Sequence, residues 1–151
     1  MKRFRFALRP VAVLRAHREV RAKEVFARAV QAYGKTQDDL AQKRAQVAGI
    51  EAALSAGRQG SFSAADESQA LFAYRQECKA EAESEQTMLA ARGMMEQRRT
   101  EYLESRRQLE VVRRLEDKAR SRHREEAAHE EQAESDDFAN RRAMRFTPLK
   151  S

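Results

Sequence analysis

Apolar and polar positions in the first third of the chain follow the three-and-four spacing of a heptad repeat. From Phe26 onwards, every third or fourth residue belongs to one series, namely Phe26, Ala29, Tyr33, Thr36, Leu40, Lys43, Val47, Ile50 and Leu54. This spacing places the side chains on one stripe of an α-helix, where a second helix can cover them. The pattern therefore predicts a long first helix that packs against a partner helix through a single seam.

Upstream of Phe26 the apolar spacing changes. Val11 and Leu14 are followed by Arg18 and Ala22, which reach Phe26 in steps of four. Successive steps of four are equivalent to an insertion into the heptad, and they locally unwind a coiled coil. We therefore expect the seam to continue towards Val11 with a change of phase.

Proline and glycine mark the ends of the predicted helices. No proline occurs between Pro10 and Pro148, and the only closely spaced glycines are Gly57 and Gly60. Proline is tolerated in the first turn of a helix, glycine is typical of a C-terminal cap, and Ser63 fits the N-cap of a second helix. The expected order within a single domain is helix one over about residues 10–57, a turn over about 57–63, helix two over about 64–142, and a basic tail over 143–151.

Helix two has a seam of its own and is the longer helix. Its seam positions are Leu71, Tyr74, Cys78, Met88, Ala91, Met95, Arg98, Tyr102, Ser105, Leu109, Val112 and Ala119. At about 1.5 Å per residue, helix one is roughly 70 Å long and helix two roughly 120 Å long. If the helices fold back on each other, helix one ends opposite about residues 110–118 of helix two. The sequence therefore predicts an all-α fold, an elongated antiparallel two-helix coiled-coil hairpin. The large apolar residues of its projecting end are Phe138, Met144 and Phe146.

Charge is arranged in blocks along the chain. Of the 151 residues 36% are charged and the formal net charge is +6, but residues 1–18 carry six bases and no acid, whereas residues 125–137 carry seven acids and no base. In the arginine-rich part of helix two, acids interleave with the bases, whereas a nucleic-acid binder keeps acids off its basic stripe. We therefore expect no nucleic-acid partner.

Residues that could carry chemistry are sparse. The single cysteine, Cys78, fits a half-buried seam position and a reducing compartment. Glu126 and His129 match one half of a di-iron motif whose other half is missing, so a solvated acidic face is expected there. No phosphate-binding loop or nucleophile motif occurs, and no stretch approaches the roughly 20 apolar residues of a membrane span. The sequence predicts no enzyme activity, no cofactor and no metal site.

Two further surface features leave alternatives open. A run of arginines could bind phosphate or an acidic partner, or could form a solvated face with internal ion pairs to Glu110, Glu116 and Asp117; the run comprises Arg106, Arg107, Arg113, Arg114 and Arg120. Phe72 and Tyr74 lie on different faces of helix two, so at most one of them faces the seam. An aromatic side chain outside the seam is a candidate partner contact.

The two ends of the chain resemble those of the flagellar export protein FliJ family. Residues 4–15 read FRFALRPVAVLR, with alternating phenylalanine and leucine leading into an arginine-rich helix. Residues 136–145 read DDFANRRAMR, which is similar to the C-terminal family signature of two acids, alanine and a closing arginine. The lengths and order of the helices also fit, so the resemblance covers essentially the whole chain.

The resemblance implies a non-enzymatic stalk, similar to the gamma subunit of rotary ATPases, at the cytoplasmic face of the bacterial inner membrane. Its implied partners are the ring of the export ATPase FliI, the export gate protein FlhA and export chaperones, and it is expected to be a monomer or weakly self-associating. The implied ATPase-binding residues are Phe4, Phe6, Leu8, Leu14, Asp137, Phe138, Arg141 and Arg142. The implied gate-binding residues are Phe72, Tyr74 and Cys78.

Other functions remain as alternatives. An injectisome stalk of the YscO type is the nearest rival, and the Phe-x-Phe-x-Leu start favours the flagellar branch. A generic coiled-coil scaffold or tether is expected to oligomerise along a seam that continues through both helices. A basic hairpin that binds nucleic acid or the ribosome is expected to bind RNA or DNA with a steep salt dependence.

Overall fold

The chain forms two helices in a computed structural model that describes residues 3–145. Helix α1 spans Arg9–Gln59, with 51 residues, and helix α2 spans Ala64–Arg145, with 82 residues. No strand occurs within the described range, and the two helices pack against each other in opposite directions, since Phe26 contacts Tyr102 and Glu51 contacts Tyr74. The predicted all-α antiparallel hairpin with a longer second helix is confirmed. Residues 146–151, which include Phe146 and most of the expected basic tail, lie outside the described residues.

The turn between the helices depends on Gly57 for close packing. A Cβ atom at Gly57 would lie 2.1 Å from Cε2 of Phe62, so only glycine leaves room for this ring. The expected C-terminal glycine cap is not present, because no described residue has a positive φ and α1 continues through Gly57 to Gln59. At the start of α2, the Oγ of Ser63 accepts a hydrogen bond of 3.1 Å from the backbone N–H of Asp66. Ser63 therefore caps α2 as its residue type predicts.

Contacts divide the chain into two units. In the unit formed by residues 19–105, the core consists of the buried side chains of Leu40, Val47 and Leu54. All nine positions of the predicted heptad series from Phe26 to Leu54 are buried or half-buried, which confirms the seam there. Parallel stacking of Phe26 on Tyr102, with ring centroids 5.9 Å apart, extends this seam.

The unit formed by residues 1–18 and 106–151 has a smaller core. Leu109 and Val112 of α2 are its buried side chains within the described residues. From the α1 side, the Nη1 of Arg15 donates a hydrogen bond of 3.0 Å to the backbone carbonyl oxygen of Gln108. The long aliphatic stem of an arginine can lie along a seam while its guanidinium bonds to a polar group, so Arg15 occupies a core-facing position without an unpaired charge.

The predicted change of phase upstream of Phe26 is wrong. Val11, Leu14 and Arg18 are exposed, with half of the Leu14 surface accessible to solvent (50%). The three-and-four spacing instead continues unbroken from Phe26 towards the N-terminus through half-buried residues, which are Ala12, Arg15, Glu19 and Ala22. A continuous heptad on α1 matches the continuous heptad on α2, and keeping this register outweighs burying the larger aliphatic side chains.

Candidate functional site

The segment before α1 folds against α2 near Arg120 and His123. Phe4 contacts the ring of His123 edge-on, with centroids 5.5 Å apart and an interplanar angle of 67°. The guanidinium of Arg120 lies over the same Phe4 ring, 5.5 Å from its centroid. Such aromatic and cation–π contacts each contribute about 0.5–1.5 kcal/mol at sites of this kind. Phe4 is therefore half-buried as an internal anchor rather than freely presented.

Glu116 joins this anchor to the start of α1. Its carboxylate accepts a hydrogen bond of 3.1 Å from Arg120 and lies 3.9 Å from Nη1 of Arg9. Phe6, the second aromatic residue of the segment, is half-buried, and its carbonyl oxygen accepts a bond of 3.2 Å from the N–H of Arg9. The segment is thus tied to α2 by rings and to α1 by its backbone.

Beyond these contacts α2 continues as a surface-exposed helix, and we name residues 128–145 the C-terminal overhang. Every residue of the overhang is exposed. Phe138, with 68% of its surface accessible, lines a concave surface together with Arg141, Arg142 and Arg145. Asp137 is exposed beside them. Four of the eight residues that the sequence assigns to the ATPase therefore lie together on the overhang.

The residues of the two chain ends that the resemblance implies for ATPase binding do not form one cluster. Phe4 packs at His123, which is fifteen residues from Phe138, or about 22 Å along the helix axis. Leu8 and Leu14 are exposed near the start of α1. The structure thus separates two groups, one at the N-terminal segment with the first turns of α1, and one on the overhang.

Exposed aliphatic residues that the sequence reasoning missed extend the first of these groups. Val111 and Leu115 of α2 are exposed in the same unit as Leu8, Val11 and Leu14. When the half-buried seam positions are numbered as a and d, Val11 and Leu115 fall at g positions, which border the seam, and Leu14 and Val111 fall at the c positions next to them. The heptad register could have identified Val111 and Leu115, and the wrong register upstream of Phe26 concealed Val11.

The residues that the resemblance assigns to the export gate differ in their solvent exposure and in their contacts within the chain. Phe72 is 65% accessible and projects from α2, whereas Tyr74 is half-buried and its hydroxyl donates a hydrogen bond of 2.9 Å to Glu51 of α1. The hydrogen bond that Tyr74 donates to the Glu51 carboxylate is the largest of the effects that raise the pKa of Tyr74 to about 12, because ionisation of the phenol would break this bond. Cys78 is a half-buried free thiol. Of the three, only Phe72 presents most of its side chain to a partner, and the two aromatics lie on different faces as predicted.

Some arginines of the run from Arg106 to Arg120 form ion pairs within α2, and others do not. Arg114 bonds to Glu110 at 2.6 Å and Arg120 bonds to Glu116 at 3.1 Å, as expected of a solvated face with internal ion pairs. Arg106 and Arg113 form no ion pair with any residue in the range 3–145. Part of the run is therefore still available for an anionic partner.

Comparisons with known proteins place these features in a family. Neither described helix is long and apolar enough to cross a membrane. The family model described as "Flagellar FliJ protein" matches residues 4–146. No curated protein matches the chain. A solved structure of a YscO homolog from Chlamydia trachomatis is similar to the chain with a TM-score of 0.75 and 18% sequence identity, covering 94% of this chain and 96% of that one. At this identity the structural likeness supports the hairpin fold, and the sequence match over nearly the whole chain shows that the protein belongs to the flagellar FliJ family.

Proposed function

We propose that the chain is the non-enzymatic central stalk that couples the export ATPase to the export gate in a flagellar type III protein export apparatus. The observation that carries the proposal is the C-terminal overhang, a solvent-exposed helix end that presents Phe138, Arg141 and Arg142. A helix that projects from a hairpin can enter the centre of a ring, as the gamma subunit of a rotary ATPase does.

Two surfaces are suited to the ATPase ring. The overhang offers one aromatic side chain flanked by arginines, the residue types that most often dominate binding energy at protein interfaces. The second surface consists of exposed aliphatic residues at the start of the hairpin, which include Leu8 and Leu14. We assign Phe4 and Phe6 a supporting role, because they hold the N-terminal segment against α2 and so position Leu8.

Phe72 is the proposed contact with the export gate protein FlhA. Its ring is exposed on α2, whereas the Tyr74 hydroxyl is hydrogen-bonded to Glu51 of α1 and the Cys78 thiol is half-buried. Tyr74 and Cys78 therefore act by fixing the local geometry of the two helices. Export chaperones are a further proposed class of partner, and the protein works in the bacterial cytoplasm, held at the inner membrane through its partners.

An injectisome stalk of the YscO type is the second candidate, and the fold shared with the YscO homolog from Chlamydia trachomatis favours it. Because the folds of the two stalk classes are alike, partner choice has to separate them. The flagellar function predicts that the chain binds the flagellar export ATPase of its own cell more tightly than an injectisome ATPase. The opposite preference would favour the injectisome function.

Pull-down of the two partners by the full chain tests the assignment of the surfaces. We expect wild-type chain to capture both the export ATPase and the cytoplasmic part of the export gate. The Phe138→Ala/Arg142→Ala variant should lose the ATPase and keep the gate, and Phe72→Ala should do the reverse. Since all three residues are exposed, neither variant should alter folding. Equal capture of both partners by all variants would contradict the assignment.

A further inference from the structure

One face of the C-terminal overhang carries opposite charges on the two sides of Phe138. Residues three, four and seven positions away from Phe138 share its face of the helix. On the N-terminal side this face presents Glu131, Glu134 and Ser135, and on the C-terminal side it presents Arg141, Arg142 and Arg145. The two sets line adjoining concave surfaces that meet at Phe138. We name this set of seven residues the Phe138 face.

The charges of the Phe138 face cannot neutralise each other within one helix. Ion pairs along a helix join residues three or four positions apart, whereas Glu134 and Arg141 are seven apart, or about 10 Å along the axis. Phe138 occupies the intervening position. Neither glutamate forms a hydrogen bond or ion pair with another residue in the range 3–145, and the same is true of the three arginines. The face therefore presents two acids and three bases whose side chains have no partner among residues 3–145.

We propose that the Phe138 face binds the same face of a second copy of this chain, with the two helices antiparallel. With a two-fold axis at Phe138, Glu131 lies opposite Arg145 of the second copy and Glu134 lies opposite Arg142 of the second copy. Symmetry repeats both pairs, so four Glu–Arg pairs surround a central contact between the two Phe138 rings. Such an isologous contact closes on itself and produces a dimer rather than a filament.

The charges of the Phe138 face favour an antiparallel second copy of the chain over other partners. A parallel second copy would place glutamates against glutamates and arginines against arginines. An acidic helix would be repelled by Glu131 and Glu134, and so would a nucleic acid. An antiparallel second copy places an arginine opposite each glutamate of the face, and it places the remaining arginine, Arg141, opposite the uncharged Ser135.

The dimer is weak and sensitive to salt. A single helix face provides a contact area at the low end of specific protein interfaces, and exposed ion pairs are screened by added salt. Dimer formation covers Phe138, Arg141 and Arg142, which are also proposed to contact the ATPase. Competition between dimer and ring therefore follows, and this consequence rests on the proposed function, whereas self-association is a property of the chain alone.

Sedimentation velocity of the full chain over a range of concentrations tests the proposal. We expect a concentration-dependent dimer whose dissociation constant rises at least about tenfold between low and high salt, with the Debye length falling from about 30 Å to about 3 Å. The Glu131→Arg/Glu134→Arg variant should be monomeric, because its face is entirely basic. The Arg142→Glu/Arg145→Glu variant should be monomeric for the corresponding reason.

The decisive measurement uses a mixture of the Glu131→Arg/Glu134→Arg and Arg142→Glu/Arg145→Glu variants. All four Glu–Arg pairs are restored in their heterodimer. The mixture should therefore associate at least as tightly as wild type. Glu125→Arg/Asp136→Arg is the matched control, since it makes the same change of formal charge on the other side of the helix, and it should dimerise like wild type. A wild-type chain that stays monomeric overturns the proposal, and so does a dimer that survives both reversals or a mixture that fails to associate. No outcome depends on the ATPase.

Discussion

Arg15 of α1 donates a hydrogen bond of 3.0 Å to the backbone carbonyl oxygen of Gln108 in α2, across 93 residues of sequence. This bond fixes the register of the two helices near the N-terminus, where the α1 side of the seam lacks large apolar residues. It also explains how an arginine can occupy a core-facing heptad position. The guanidinium is paired, and the methylene stem covers part of the seam.

Replacing Arg15 with alanine should lower the free energy of unfolding by about 1–2 kcal/mol, because a part-buried bond to a charged group and the packing of the stem are both lost. Arg18→Ala is the matched control, since Arg18 is exposed, and it should change stability by less than about 0.5 kcal/mol. Urea unfolding followed by circular dichroism measures both. A larger effect of Arg18→Ala would restore the predicted phase change and contradict the observed register.

Replacing Phe4 with alanine should release the N-terminal segment from α2 and lower stability by about 1–2 kcal/mol, because the contacts with His123 and Arg120 are lost. Amide hydrogen exchange at residues 3–9 should accelerate while exchange around Leu40 stays slow. Phe138→Ala is the comparison, because that ring is exposed to solvent, and its stability should match wild type. Unchanged exchange in Phe4→Ala would show that the ring does not anchor the segment.

Replacing Gly57 with alanine should destabilise the turn, because the added methyl group overlaps the Phe62 ring at 2.1 Å. Overpacking of this kind costs about 1–3 kcal/mol. The double variant Gly57→Ala/Phe62→Ala removes the overlap, so its loss of stability should be smaller than the sum of the two single losses. Thermal unfolding of the four chains forms a double-mutant cycle. Additive losses would indicate that the ring does not occupy the space over Gly57.

The hydrogen bond between Tyr74 and Glu51 should make stability depend on pH in the alkaline range. The pKa of Tyr74 is raised from 10.0 to about 12 in the folded chain, first by Glu51 and then by Cys78. The folded state therefore holds the phenol proton more tightly than the unfolded state. The stabilisation is complete below pH 10, and it is lost as the pH rises through about 12.

Melting temperatures measured from pH 9 to pH 12 test this dependence. Wild-type chain should lose more stability across the range than Tyr74→Phe, which has no phenol to ionise. Tyr33→Phe controls for the general effect of removing a tyrosine hydroxyl. Parallel curves for wild type and Tyr74→Phe would mean that the bond to Glu51 does not bias the titration.

The sequence predicted most of the fold because a heptad is a local pattern. The series from Phe26 to Leu54 specified its own buried stripe, and Ser63 identified the start of α2. The register upstream of Phe26 was mispredicted because aliphatic residues were favoured for the seam, whereas the actual positions are held by two alanines and by the charged residues Arg15 and Glu19. The hydrogen bond from Arg15 to Gln108 joins residues that are far apart in the sequence, so no local pattern encodes it.

The candidate site was predicted unevenly for the same reason. Exposure of Phe138 and Phe72 could be inferred from their positions outside the heptad. The packing of Phe4 on His123 could not be inferred, because it requires a non-helical segment to fold back on a distant part of α2. Likewise, the spacing of Tyr74 indicated a seam position but not its bond to Glu51.

The central claim is that this chain acts as a coupling stalk within an export ATPase ring. The most direct measurement is the ATP hydrolysis rate of the cognate export ATPase as a function of added chain. We expect wild-type chain and Phe72→Ala to stimulate hydrolysis, and we expect Phe138→Ala/Arg142→Ala to lose the stimulation, because the overhang then lacks its aromatic ring and one arginine. The loss cannot arise from self-association, since weakening the dimer would free more chain for the ring. Absence of stimulation by wild-type chain, or full stimulation by the double variant, would contradict the account.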